Sequence, residues 1–256
     1  MSISLAGARV WVTGASSGIG AALAEELVNR GARVAVSARR ADRLEEVSKG
    51  RMLVVPLDVT DTAAVQRAAD EVYEAFGGVD IAVLNAGAWT QTKVADWDAD
   101  AFRTQVEVNL LGTSSCLAAL LPRMLERGAG KLVIMTSVAG YRGVPGSEAY
   151  GATKAALLNL AESLRADLAP AGVVVQWVSP GFVRTELTDA NSFPMPFMIE
   201  ADVAARSIAD GLQSNRPEIV FPLPMAVGMK LLQLLPHSLW TLVWKRQSSL
   251  KRRPGP

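Results

Sequence analysis

A glycine-rich turn between a buried strand and a helix constrains this chain more than any other feature. Residues 9–13, Arg-Val-Trp-Val-Thr, form a short apolar run. Residues 19–30 carry Leu23, Leu27 and Val28 at helical spacing and stop at Gly31. Between the two stands Thr13-Gly14-Ala15-Ser16-Ser17-Gly18-Ile19-Gly20. Glycines at 14, 18 and 20 permit a tight turn and close backbone approach. The helix start adds unpaired N–H groups and the positive end of its dipole, so Gly14, Ser16, Ser17, Gly18, Ile19 and Gly20 suit a dinucleotide pyrophosphate.

The alternation begun there continues. Strands are predicted over 9–13, 32–37, 52–57, 79–84, 131–136, 173–179 and 218–221. Helices are predicted over 19–30, 42–48, 62–76, 97–127, 148–169 and 201–213. The 97–127 helix is expected to break near Asn109 and Pro122. About seven strands alternating with helices imply an α/β, Rossmann-type, doubly wound parallel sheet with helices on both faces. No repeat or linker divides it, so residues 1–221 read as one dinucleotide-binding and catalytic domain. Residues 222–256 read as an apolar helical extension with a basic tail.

Composition excludes several function classes. Half of the 256 residues are hydrophobic, enough for a sizeable core. The net charge of +1 gives no global pull toward nucleic acid. One cysteine, Cys116, and one histidine, His237, leave no intrachain disulfide, metal cluster or histidine triad. The first residues run straight into a strand with no targeting leader, so a cytoplasmic enzyme is expected.

The chemistry is carried by Tyr150 and Lys154, four residues apart and therefore on one helix face. Free tyrosine titrates near pH ~10. A neighbouring ammonium, and the positive nicotinamide ring of an oxidised cofactor, are expected to lower that value and make the phenol a usable acid or base. Ser137 closes a strand at its carboxyl end, where its hydroxyl can hydrogen-bond a substrate oxygen. Asn109 sits mid-helix, where asparagine is a poor helix former. After the second strand, Val36-Ser37-Ala38-Arg39-Arg40 lacks the acid that would hold a ribose 2′-hydroxyl. A guanidinium there can pair with a 2′-phosphate, so NADP(H) is expected rather than NAD(H), with Arg39 the main contact. Backbone N–H groups around Pro180, Gly181 and Val183, with the Thr185 hydroxyl, suit a nicotinamide carboxamide and pyrophosphate.

These motifs, with Asp58-Val59 and Asn85-Ala86-Gly87, stand in an order and spacing that resembles the short-chain dehydrogenase/reductase superfamily in its compact single-domain form. The resemblance runs over residues 5–221. It implies that Asp58 and Val59 meet the adenine, and that Asn85, Ala86 and Gly87 pack on the adenosine side and support the sheet. It further implies that Lys154 reaches the nicotinamide ribose and that Asn109 opens its helix to hold a water on a proton path. Leu84 departs from the family's usual asparagine before Asn85. A homo-oligomer, dimer or tetramer, is implied through helices near 110–124 and 152–168.

Residues 187–199 are apolar and soft. Phe193 and Phe197, with Val138, Tyr141, Val144 and Trp89, are candidate walls for a hydrophobic ketone, aldehyde or alcohol. The function expected is an NADP(H)-dependent oxidoreductase acting on such a carbonyl or alcohol. Its alternatives are an NADP-dependent isomerase or epimerase using the same tyrosine, and a cofactor-binding regulatory protein without turnover. Pro236 divides the apolar extension into two helices, each short of the about 20 residues that span a bilayer. They suit a pocket cover, a subunit contact or, with the basic end, peripheral contact with a membrane surface.

Overall fold

The strands are β1 (Arg9–Thr13), β2 (Arg33–Ser37), β3 (Leu53–Val54), β4 (Ile81–Leu84), β5 (Gly130–Met135), β6 (Val173–Pro180) and β7 (Glu218–Phe221). In this computed structural model, which describes residues 4–189, 191 and 193–245, they form one parallel sheet ordered β3-β2-β1-β4-β5-β6-β7. The chain winds outward from β1 to β3, then returns to the other side of β1 as β4. That reversal opens a crevice at the carboxyl ends of β1 and β4.

Helices cover both faces: α1 (Gly18–Asn29), α2 (Ala41–Ser48), α3 (Thr62–Phe76), α4 (Ala99–Val106), α5 (Gly112–Arg127), α6 (Glu148–Leu168), α7 (Glu186–Asp189) and α8 (Ala201–Leu212). Alternation along β1 shows why. Val10 and Val12 join a buried cluster with Leu23 and Leu27 of α1 and Ile208 of α8. Trp11 points the other way, into a cluster with Val65 of α3, Leu120 of α5 and Leu157 of α6. Trp11 is fully buried, and its one polar atom, Nε1, donates to Ser37 Oγ at 2.9 Å. Cys116 and Leu117 lie in the same cluster, which assigns them to this chain's own core.

Two expectations are revised. The third strand is two residues long rather than spanning 52–57; Pro56 follows it at the sheet edge, where its missing N–H costs no ladder bond. The backbone still follows β2 through Val55 N to Val36 O and Leu57 N to Ala38 O. Pro122 does not break its helix: it lies inside α5, which runs unbroken to Arg127. The break comes only at residues 107–111, a π-helical turn containing Asn109. The run 99–127 is long and apolar enough to cross a membrane by composition. Here Leu117, Leu120 and Met124 pack it on the sheet.

The extension folds as α9 (Leu223–Gln233) and α10 (His237–Lys245), with Pro236 between them. The basic tail beyond Lys245 lies outside the described residues.

Candidate active site

The turn after β1 packs so tightly that side chains do not fit. A Cβ on Gly14, where φ is +67°, would lie 2.6 Å from Ala86 Cα; one on Gly20 would lie 2.4 Å from Gly14 O. Asn85 fastens the turn from β4: its Nδ2 donates to Thr13 O and Gly14 O, both at 3.0 Å. Thr13 Oγ1 accepts from Asn85 N and Ala86 N. Ser17, which precedes α1, gives the helix no side-chain cap. Bare backbone and an uncapped helix start therefore face a cleft of about 560 Å³. This is a cradle fitted to a pyrophosphate.

All the residues expected to hold the cofactor border that cleft: Gly14, Ser16, Ser17, Gly18, Ile19, Gly20, Arg39, Asp58, Val59, Asn85, Ala86, Gly87, Tyr150, Lys154, Pro180, Gly181, Val183 and Thr185. Asp58 Oδ1 accepts from Thr60 N and Thr60 Oγ1. Burial raises its carboxyl, but those two bonds and the Arg39 charge outweigh it and hold the group below its ordinary value. The two arginines differ. Arg40, not Arg39, reaches the phosphate turn, donating to Ser16 Oγ and Ser17 Oγ at 3.2 Å and pairing with Glu186 at 3.0 Å. Arg39 makes no hydrogen bond among the described residues and is exposed at the cleft beside Asp58.

Ser137, Tyr150 and Lys154 converge at the cleft's other end. Ser137 follows β5, accepts from Ala139 N at 3.1 Å and donates a long bond of 3.3 Å to Pro180 O. Tyr150 and Lys154 lie on α6. The expected lowering of the phenol does not appear. Burial pushes Tyr150 up to about 12, and the Ser137 hydroxyl offsets only part of the rise. The reason is placement. Lys154 Nζ sits over the ring, 5.5 Å from its centroid, and donates to Met135 O at 2.6 Å. Burial also brings the Lys154 ammonium down to about 7, so near neutrality it is poised between charged and neutral forms.

Asn109 is fully buried behind the cleft. Its Nδ2 donates to Ala88 O at 3.1 Å and Thr153 Oγ1 at 3.0 Å, while Oδ1 accepts from Ala88 N at 2.6 Å. The side chain thus clamps the loop after β4 to α6.

The expected substrate walls fare differently. Tyr141 turns away: the short 3₁₀ turn Val138–Gly140 carries it toward β7, where its buried hydroxyl donates to Glu218. Val138 is buried in that turn, and neither it nor Val144 borders the cleft. Phe193 packs on Phe182 with centroids 6.1 Å apart, and Phe197 is 58 % exposed at a φ of +58°. Thr104, Val108, Leu187 and Thr188 line the cleft instead. Trp89 stands between the two groups. Its ring meets Tyr150 edge-on at 5.2 Å and its Nε1 donates to Asn191 Oδ1 at 2.8 Å. No residue of α9 or α10 borders the cleft, so these two helices do not cover it.

Known proteins resemble this chain in sequence and fold. The sequence model of the short chain dehydrogenase family matches residues 8–194. An uncharacterised oxidoreductase of Myxococcus xanthus is 39% identical over 241 residues, covering 92% of this chain and 95% of that protein. A short chain dehydrogenase of Burkholderia cenocepacia, solved in complex with NADP, is 28% identical at a TM-score of 0.83, covering 94% of this chain and 98% of that one. A short chain dehydrogenase/reductase of Burkholderia phymatum, solved with NAD, has the same fold at a TM-score of 0.83 and 24% identity, covering 99% of this chain and 100% of that one. The chain belongs to the short-chain dehydrogenase family and is an oxidoreductase of that type.

Proposed function

We propose that the chain is an NADP(H)-dependent oxidoreductase that interconverts a ketone or aldehyde with an alcohol on an apolar substrate. The observation that carries this reading is the meeting of Ser137, Tyr150 and Lys154 with the backbone cradle in one cleft. A bound nicotinamide dinucleotide would supply or accept the hydride. Tyr150 gives its phenolic proton to the substrate oxygen in reduction and takes one back in oxidation. Ser137 releases its long bond to Pro180 O and donates to that oxygen, stabilising charge as it develops. A protonated Lys154 favours the phenolate and works against the rise that burial imposes. Val108 and Leu187, with the Trp89 ring against Tyr150, favour an apolar group beside the reacting carbonyl. The protein is assayed against a panel of carbonyl compounds with NADPH absorbance as the readout. Consumption of NADPH supports the reductase. Product without net oxidation points to an isomerase, and tight binding without product to a regulator; either contradicts the proposal.

The 2′-phosphate is assigned to Arg39, which borders the adenosine end without a partner among the described residues. Arg40 is already tied to Glu186 and the two serines. One solved relative holds NADP and another NAD, so the preference rests on Arg39 itself. Arg39→Ala is expected to weaken NADPH binding about tenfold or more while NADH binding stays near its starting value. A titration in which both cofactors weaken equally would remove the assignment.

We also read the protein as a homo-oligomer joined through the outer faces of α5 and α6. Leu125 on α5 and Leu111, in the π-helical turn just before it, are about half exposed. Light scattering is expected to give at least a dimer, and Leu111→Glu with Leu125→Glu is expected to shift it toward monomer. A monomer in the wild type contradicts this reading.

A further inference from the structure

The C-terminal helices present an apolar stripe to solvent. On α9, Leu223, Val227 and Leu231, with Leu234 just past its end, recur at spacings of four, four and three and therefore share one face. They are 69, 49, 62 and 80 % exposed. On α10, Leu239, Leu242 and Val243 repeat the pattern and are each about half exposed. These helices are anchored, not loose. Ala226 is buried, Lys230 pairs with Glu218, and Trp240 Nε1 donates to Gly143 O at 2.9 Å. Arg142 Nη1 donates to the carbonyls of Leu232, Gln233 and Leu235 at 2.7 to 2.9 Å, and its guanidinium lies over the Trp240 ring at 4.8 Å. The body grips one side of the pair and leaves the leucines outward.

Charge divides at the same place. Six of the 26 basic residues, Lys230, Lys245, Arg246, Lys251, Arg252 and Arg253, and none of the 25 acidic ones, fall in residues 222–256. That segment therefore carries +6 and residues 1–221 carry −5. An aliphatic face joined to a cationic end and free of acids matches a surface that is apolar below and anionic above.

We infer that α9 and α10 seat the protein on a membrane rich in anionic phospholipid. The leucines enter the boundary between headgroups and acyl chains, and the positive charge of the segment draws it to the phosphates. At 11 and 9 residues the helices lie on the bilayer and do not cross it. A second copy of the chain is a poorer occupant, because residues 222–256 carry +6 in each copy and like charges oppose their association. The seat adjoins the cleft: a Cβ on Gly181 would lie 3.0 Å from Met225 Cγ of α9.

Flotation of the full-length protein tests this, using vesicles of phosphatidylcholine mixed with phosphatidylglycerol and vesicles of phosphatidylcholine alone. The protein is expected to float with the anionic vesicles and to be released by raised salt. Leu231→Gln with Leu234→Gln removes only exposed apolar groups and is expected to weaken binding about tenfold or more. Lys251→Gln with Arg252→Gln and Arg253→Gln is expected to weaken it on the order of a hundredfold. Wild-type protein that floats with neither vesicle overturns the inference. So does a leucine variant that floats as well as wild type, since charge alone would then hold it. A wild-type dimer that the leucine variant splits, with no flotation in either, assigns the face to a second copy and also overturns it.

Discussion

Tyr150→Phe is expected to lower turnover by about 10²–10⁴-fold, the usual span for a missing general acid, while NADPH affinity stays close to that of the wild type. The phenol is the only titratable hydroxyl positioned with Ser137 at this end of the cleft among the described residues. Phenylalanine keeps the ring that Trp89 meets edge-on and that Lys154 lies over, so packing is preserved and the proton alone is lost. Steady-state rates with fluorescence titration of the cofactor separate the two effects. A phenylalanine variant with near-normal turnover removes Tyr150 as the acid. The phenol value of about 12 sharpens the argument. A group held there is overwhelmingly protonated at neutral pH, which suits an acid in reduction. Work as a base in oxidation needs the phenolate, and hence the protonated form of Lys154. Because burial lowers Lys154 to about 7, that form is depleted as pH rises through the same value. The assistance Lys154 gives is therefore strongest below about pH 7 and fades above it.

Gly20→Ala is expected to cost about 2–4 kcal/mol of stability and to abolish measurable dinucleotide binding. The added methyl would meet Gly14 O at 2.4 Å and Asn85 Nδ2 at 2.5 Å. The first is backbone in a turn whose geometry Asn85 and Thr13 already hold, so relief requires opening the cradle itself. Gly50, which does not border the cleft, is an internal control. Its φ of +70° makes alanine mildly unfavourable, but nothing lies within 4 Å of the added methyl. Gly50→Ala is thus expected to shift the denaturation midpoint modestly and leave cofactor binding intact. Equal effects at both glycines would show that the clash with Gly14 O and Asn85 Nδ2 does not govern Gly20.

Much of the architecture was legible because it rests on local patterns. Apolar runs of strand length alternate with helices whose apolar residues recur every three or four positions, and parallel pairing with both faces covered follows. The turn at 14–20 was legible because glycine marks where the backbone must come close. The convergence of Ser137, Tyr150 and Lys154 on one cleft likewise follows from a strand end and one helix face.

What was not legible depends on distances that no local pattern encodes. Arg40 meets Glu186 across 146 residues of sequence, so nothing near either residue distinguishes Arg40 from Arg39. Tyr141 appears beside Ser137 in sequence, yet the turn at Val138–Gly140 carries it to Glu218 on β7. Spacing of four puts Lys154 and Tyr150 on one face, but says nothing of whether the ammonium finds the hydroxyl or the ring. Pro122 shows that a helix held down by Leu117, Leu120 and Met124 can lose one backbone bond and continue.

The central claim is that a single cleft holds the dinucleotide and presents its reacting face to a carbonyl beside Tyr150. It is tested most directly by following deuterium from NADPH labelled at nicotinamide C4 into a product alcohol by mass spectrometry. The account predicts one deuterium on the carbinol carbon with wild-type protein, and about 10²–10⁴-fold slower formation of that labelled alcohol with Tyr150→Phe at equal cofactor occupancy. Product alcohol formed without deuterium from either labelled face, or labelled alcohol formed as fast by the phenylalanine variant, would contradict it.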